Sequence, residues 1–203
     1  MSKKLIIVFE GIEGTGKSYH INNVAKYLKK KNIKFIKIRE PGGSINSEKI
    51  RKLILNNKST FNKYTDLLLY LSSRSENIEM IRKNMGKKII LIDRFTDSTV
   101  AYQHYGMGIN LKFIKNINDF LLKGINIDFT FLNTVSQKNL KKRLKLRNNL
   151  NRYDMFSFNF YHKVQKGFLK IQKKNPKKYI KINSNLSINH NENIILNKIN
   201  NLI

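Results

Sequence analysis

The 203-residue chain carries 40 Lys and Arg against 13 Asp and Glu, a formal net charge of +27, and contains no cysteine. A disulfide framework and a thiolate metal site are therefore excluded, the length suits one domain with a buried core, and no apolar run is long enough to cross a bilayer. The opening Met-Ser-Lys-Lys leads at once into a strand pattern, too short for a secretory leader, so a cytoplasmic location is expected.

A continuous apolar run over 5–9 predicts a strand buried on both faces. Apolar residues at Ile21, Val24, Ala25 and Leu28 predict a helix over 18–31. A second strand is expected over 33–38, helices over 47–56 and 64–85, and a third strand over 88–93. Helical segments around 97–105 and 111–123 precede a strand over 129–133. A basic helix over 137–147 leads into a polar, irregular stretch over 148–155. A helix over 157–174, a strand over 179–182 and a helix from 191 complete the pattern, with the Asn- and Ser-rich stretch 183–191 as an ordinary connection. Apolar strands alternating with helices predict an α/β fold, a parallel sheet of about five strands flanked by helices.

The charge admits two readings. Clustered Lys and Arg would form a nucleic-acid surface by displacing counterions from phosphates. Here the lysines are scattered over several helices (Lys29, Lys30 and Lys31; Lys141 and Lys142; Lys173 and Lys174), while Gly and Pro number only 10 and 2. Abundant Lys, Asn, Ile, Phe and Tyr all have A/T-rich codons, so coding drift carries more weight and specific nucleic-acid binding is not expected. A basic field would attract anionic nucleotides in either case.

Gly11-Ile12-Glu13-Gly14-Thr15-Gly16-Lys17-Ser18 matches G-x-x-x-x-G-K-[ST] between a buried strand and an amphipathic helix. In such a P-loop the glycines let backbone N–H groups and the helix N-terminus close on phosphate oxygens. Lys17 is expected to reach the β- and γ-phosphates of ATP, and Ser18 to supply a hydroxyl for Mg²⁺. The fold class is thus of the P-loop NTPase type. The loop alone does not choose among ATPase, GTPase and kinase. Asp93 ends a neighbouring strand, where its carboxylate can hold the metal's water shell, and Arg94 follows instead of the Glu common in motor-type ATPases. The nearest approach to the guanine-reading Asn-Lys-x-Asp is Asn116-Ile-Asn-Asp119, which lacks the Lys. A small kinase passes this sieve best.

Four blocks extend the argument to the acceptor: Glu10-Gly-Ile-Glu-Gly-Thr-Gly-Lys-Ser18, Arg39-Glu-Pro-Gly-Gly-Ser44, Tyr70-Leu-Ser-Ser-Arg74, and Asp93-Arg-Phe-Thr-Asp-Ser-Thr-Val-Ala-Tyr-Gln103. In content, order and spacing they resemble the thymidylate kinases over almost the whole length. That resemblance implies phosphoryl transfer from ATP to dTMP, with Mg²⁺ as cofactor and a homodimeric assembly. It implies that Arg94 and Arg51 grip the dTMP phosphate, that Tyr70 stacks on the pyrimidine, and that Arg74 donates to thymine O4 and so rejects cytosine. Tyr102 is similar to the tyrosine that fills the space of a ribose 2′-hydroxyl. Ser98, Thr99 and Gln103 complete the dTMP pocket, with Thr99 standing where many relatives have Asn. Glu13 resembles the acidic residue that faces the acceptor sugar and the metal, and Arg39 is read as a brace for the turn at Pro41.

Neither Gly14 nor Thr15 is basic, so the resemblance is to the bacterial type, with the catalytic arginine in a lid over about 143–155. It implies that Arg147 is that residue, acting with Lys17, Arg94 and Asp93, and that Arg143 and Arg152 also reach the ATP phosphates. Arg143 stands one helical turn before Arg147, which would put both on one face. Arg at three lid positions is not explained by drift, which favours Lys. Two rivals stay open at this stage: a deoxynucleoside kinase, and a P-loop protein that binds nucleic acid through its charge.

Overall fold

The computed structural model describes residues 4–148 and 150–203. Met1, Ser2 and Lys3 of the opening stretch, and Asn149 of the expected lid, lie outside the described residues. Five strands form one parallel sheet in the order β2-β3-β1-β4-β5: β1 Ile6–Glu10, β2 Phe35–Arg39, β3 Ile89–Asp93, β4 Phe129–Thr134 and β5 Tyr179–Asn183. The helices among the described residues are α1 Lys17–Lys30, α2 Ile45–Leu55, α3 Lys63–Asn84, α4 Thr96–Thr99, α5 Leu111–Leu121, α6 Gln137–Lys145, α7 Phe158–Lys174 and α8 Ile188–Leu202. None is long and apolar enough to cross a membrane.

The central strands read as unbroken apolar runs because both of their faces are covered. Leu5, Ile7 and Phe9 pack with Ile21, Val24 and Leu28 of α1 and with Ile195 and Ile199 of α8. The alternate residues Ile6 and Val8 pack with Ile78 and Ile81 of α3 and with Ile90 and Ile92. Register sets Phe9 beside Asp93 on one side and beside Phe131 on the other. The carboxyl ends of β1 and β3 therefore open side by side where the chain switches direction across the sheet, the crevice in which such folds bind ligands.

Three expectations need correction. The segment expected as an ordinary helix over 97–105 is α4 continued by a π-helical turn, Val100–Gly106, in which the Met107 N–H reaches back five residues to the Tyr102 carbonyl at 2.9 Å. Such π segments recur at functional sites, and this one carries Tyr102 and Gln103. Helix α6 ends at Lys145, so Arg147 lies beyond it and does not share a helix face with Arg143. Helix α8 starts at Ile188 because the Ser187 hydroxyl caps it by accepting from the His190 N–H at 3.3 Å, a signal hidden in an Asn/Ser-rich stretch.

Helix α7 lies close against the π-helical turn at Gly167. A Cβ there would come within 2.6 Å of Tyr105 Cδ2 and 2.8 Å of its Cβ. Overpacking of about 1–3 kcal/mol outweighs a helix-propensity gain of at most about 1 kcal/mol. Gly167→Ala is expected to lower stability by a net of about 1–2 kcal/mol, read from the urea midpoint; an unchanged midpoint would mean that the two helices part freely.

Candidate active site

Among the described residues six α-helices start with a side-chain cap: Ser44, Asn62, Asn110, Ser136, Ser157 and Ser187 each accept from a first-turn N–H. Helix α1 does not. Its N-cap is Gly16, left-handed at φ 82°, with no capping side chain and no acid in the first turn, so its leading N–H groups face the cleft. Gly11 is obligatory for a different reason: at φ 136° a Cβ would lie 2.2 Å from the Asn133 carbonyl oxygen at the end of β4.

Lys17 Nζ folds back to donate to the Ile12 carbonyl at 2.7 Å and to Thr15 Oγ1 at 3.3 Å. Burial, and then repulsion from Arg94, lower its pKa from the usual 10.5 to about 7. Because the folded value lies below the unfolded one, the unfolded chain holds the extra proton between those limits, and this group's contribution makes stability rise with pH across that window. A bound triphosphate favours the charged form. ATP binding at pH 8 is therefore expected to take up close to one proton at Lys17, measured as the dependence of calorimetric heat on buffer ionisation enthalpy and lost in Lys17→Met. No dependence on buffer would sink this expectation.

Opposite the loop, Arg94 stands at φ 66°, a left-handed conformation costly for a side-chain-bearing residue. The turn carries its guanidinium back over β1, where Nη1 donates to the Gly11 carbonyl at 2.8 Å and Nη2 to Glu13 Oε1 at 2.8 Å. The other Glu13 oxygen accepts from Tyr102 OH, and the guanidinium lies 5.3 Å from the Tyr102 ring centroid. Burial first, and then Glu13, hold the Tyr102 hydroxyl protonated well above its ordinary range, although Arg94 pulls the other way.

Arg74 is 1% exposed and ion-paired to Glu40 Oε2 at 2.7 Å, with Nη1 donating to Asn118 Oδ1 at 2.6 Å. Glu10 ties the start of α4 to β1, accepting from the Phe95 N–H at 2.8 Å and from Ser98 Oγ at 2.6 Å. Burial raises the pKa of both Glu10 and Glu40. Arg51 Nη1 donates to the Pro41 carbonyl at 2.6 Å. Arg39 pairs with Glu48, which accepts from the Gly43 N–H at 2.8 Å, so it does brace this turn.

These groups share a cleft of about 440 Å³ lined by Glu13, Gly14, Thr15, Gly16, Lys17, Ser18, Arg51, Tyr70, Arg74, Asp93, Arg94, Ser98, Thr99, Tyr102, Gln103 and Arg147, together with Arg39 and Glu40. Two buried polar atoms on its lining residues, Thr99 Oγ1 and Glu40 Oε1, have no partner among the described residues. Polar atoms buried in this way are otherwise satisfied in nearly every case.

Four expected residues do not line the cleft. Gly11 and Ile12 begin the loop, Ile12 having its side chain in the core. Arg143 braces the loop from behind, donating to the Gly14 carbonyl at 2.8 Å and the Ser184 carbonyl at 2.6 Å. Arg152 is ion-paired to buried Asp66. Arg147 reaches the cleft from beyond α6 and pairs with Asp154.

Sequence reasoning missed Glu40, Asn118, Tyr153 and Asn151. Glu40 stood inside the Arg-Glu-Pro-Gly-Gly block, and Tyr153 and Asn151 flank Arg152; Asn118 had no signal, because it meets Arg74 only through the packing of α5 on α3.

Ser18 Oγ donates to Asp93 Oδ2 at 2.9 Å where α1 meets the end of β3. One hydroxyl and one carboxylate form a hard-oxygen pair that fits Mg²⁺, an ion commonly held by one or two protein groups, water and substrate phosphates. Among the described residues no group of three or more His, Cys, Asp or Glu could hold a metal ion.

The sequence profile of the family described as "Thymidylate kinase" matches residues 9–195. The thymidylate kinase of Kosmotoga olearia is 33% identical over 186 residues, covering 91% of this chain and 89% of the relative. That of Thermosipho africanus is 40% identical over 171 residues, covering 83% and 85%. The crystal structure of thymidylate kinase from Ehrlichia chaffeensis matches with a TM-score of 0.78 at 31% identity, over 97% of this chain and 98% of that one.

Proposed function

The chain belongs to the thymidylate kinase family, and from that premise we propose how its cleft performs the reaction. The activity is transfer of the γ-phosphoryl group of ATP to dTMP, giving dTDP and ADP. The observation that carries the site reading is the convergence in one cleft of an uncapped glycine-rich helix start, Lys17, three arginines on the opposite wall and Tyr70 with Tyr102.

ATP lies with its phosphates on the loop 11–18, and dTMP enters from the side of α3 and α4. Arg94 and Arg51 hold the acceptor phosphate, Tyr70 covers the pyrimidine, and Arg74 donates to thymine O4 from the Glu40–Asn118 brace. Thr99 and Gln103 complete the base pocket, with Ser98 at its edge; Tyr102, fixed by Glu13, closes the space of a 2′-hydroxyl. An anionic oxygen of the dTMP phosphate attacks the γ-phosphorus in line, and the bond to the β,γ-bridging oxygen breaks to release ADP. The nucleophile is already ionised, so no general base is required. Positioning and charge neutralisation by Lys17, Arg94 and Arg147 lower the barrier. Ser18 and Asp93 would hold Mg²⁺, which supplies further positive charge at the phosphates. Closing a lid over about 143–155, within one kinase domain spanning 1–203, would exclude water and suppress idle ATP hydrolysis.

The same premise supports a homodimer in the cytoplasm. Tyr64 and Leu68 on α3 and Phe113 and Phe120 on α5 are exposed apolar side chains on two helices that pack on each other, and are candidates for contact with the second copy.

A coupled ADP-release assay with Mg·ATP and dTMP, dUMP, dCMP, dGMP, UMP and thymidine tests this reading. Strong turnover on dTMP is expected, weaker on dUMP because a methyl contact is worth about 1–3 kcal/mol, and none on UMP or thymidine. Turnover on thymidine would make it a nucleoside kinase; silence across the panel would return attention to its charge.

A further inference from the structure

Asp66, in the first turn of α3, is 1% exposed, and donors from two other segments converge on it. Arg152 Nη2 and Tyr153 OH, neighbours in the short turn Arg152–Met155, donate to its two oxygens. From the π-helical turn, Gln103 Nε2 approaches to 3.5 Å and lies 3.4 Å from the Tyr153 hydroxyl. A carboxylate paired with arginine only accepts, so Gln103 presents its NH₂ to this cluster and keeps its carbonyl oxygen for another partner.

Arg152 has little freedom left. Its Nε donates to the Ile54 carbonyl at the end of α2 at 3.0 Å, and its guanidinium lies 5.6 Å from the Phe61 ring and 5.2 Å from the Tyr153 ring. It does not line the cleft, whereas Tyr153 does, edge-on to Tyr70 at 5.7 Å and tilted against Tyr102 at 5.8 Å. The next residue, Asp154, pairs with Arg147. One carboxylate thus grips two adjacent residues at the end of the lid, and through them sets both an aromatic wall and the partner of Arg147.

We propose that Asp66 is a positioning residue, and that Arg152 is a strut joining the lid end to α3 and not a ligand of the ATP phosphates. This rests on the cleft being that of a dTMP kinase. A buried ion pair suits a strut, since either charge alone is strongly disfavoured there. A reactive geometry disturbed from a distance loses rate before it loses ATP affinity.

The test is a double-mutant cycle of Arg152→Met and Asp66→Asn in the full chain, with kcat, the KM for dTMP and the calorimetric Kd for ATP. Each single variant is expected to lower kcat about 10-fold or more and to raise the dTMP KM, with the ATP Kd within about twofold. The double variant is expected to be no worse than the weaker single one. A tenfold rise in ATP Kd in Arg152→Met but not in Asp66→Asn, or losses that multiply, would overturn the proposal. Should Asp66→Asn not fold, Tyr153→Phe removes only a hydroxyl, and there an unchanged kcat would overturn it. A wild-type chain that binds ATP but leaves dTMP untouched would defeat the dTMP reading instead, and the ATP-affinity arm would still decide whether Arg152 touches phosphate.

Discussion

Arg94→Ala is expected to reduce kcat with ATP and dTMP by about 10³-fold or more. Deleting one neutral donor to a developing charge costs about 10²–10³ in kcat, and an arginine serving a transferring phosphoryl group is worth about 10³–10⁵. On the proposed site reading Arg94 belongs with the latter, because it is a full charge held among low-dielectric walls. Its substitution also strips Glu13 of its ion-pair partner, leaving a carboxylate beside two incoming polyanions. Lysine is no remedy. A point charge cannot bond the Gly11 carbonyl and Glu13 through separate nitrogens as Arg94 does, so Arg94→Lys should recover only a small part of the loss. Single-turnover rates at saturating dTMP separate chemistry from binding, and a loss under tenfold would remove Arg94 from the phosphate-gripping set.

Arg147→Ala is the second large effect expected: kcat lower by about 10²-fold or more, with little change in dTMP binding. The Arg147 side chain is 39% exposed but its partner Asp154 is buried, so losing the ion pair should cost some stability. Asp154 also accepts from the Asn151 backbone N–H at 3.1 Å and keeps partners in the variant. The variant should therefore still fold, with a lowered urea midpoint, and kcat measured well below that midpoint reads on catalysis. An unchanged kcat would move the catalytic charge elsewhere in the lid. The two variants also differ from each other: Arg94→Ala should weaken dTMP binding, whereas Arg147→Ala should not.

Asp66, outside both sets, would tie the proposed lid to the proposed acceptor pocket. Arg147 lies in an exposed segment, yet its partner Asp154 follows two residues anchored on one buried carboxylate. Two adjacent residues of this segment and the wall at α3 thus share a joint, which would suit the proposed lid in closing to one geometry.

Much of this was legible in the chain itself. The apolar runs of β1 and β3 required burial on both faces, and the alternation with helices required a parallel sheet. The P-loop between strand and helix located the phosphate cradle, because glycine conformations and an uncapped helix start are local properties. Helix boundaries came within a few residues wherever a cap such as Asn62 lay next to the apolar pattern. Tyr70, Arg74, Arg94 and Tyr102 could be named because they stand in blocks that keep the order and spacing of one family, and Arg51 and Arg147, outside the blocks, because that resemblance implied them.

The partners could not be named, since they come from distant parts of the chain. Periodicity continued α6 through Arg147, but the helix ends at Lys145, and the two arginines part: Arg143 goes to Gly14 and Ser184, Arg147 to Asp154. Arg152, read as a phosphate ligand, finds Asp66 across 86 positions of sequence. Strand order was likewise undecided until helices crossed the sheet and set Asp93 beside Phe9. Backbone conformation and apolar pattern act over a few residues and can be read in order. Which acceptor a long charged side chain meets depends on how separate elements close around it, and only the tertiary structure decided that.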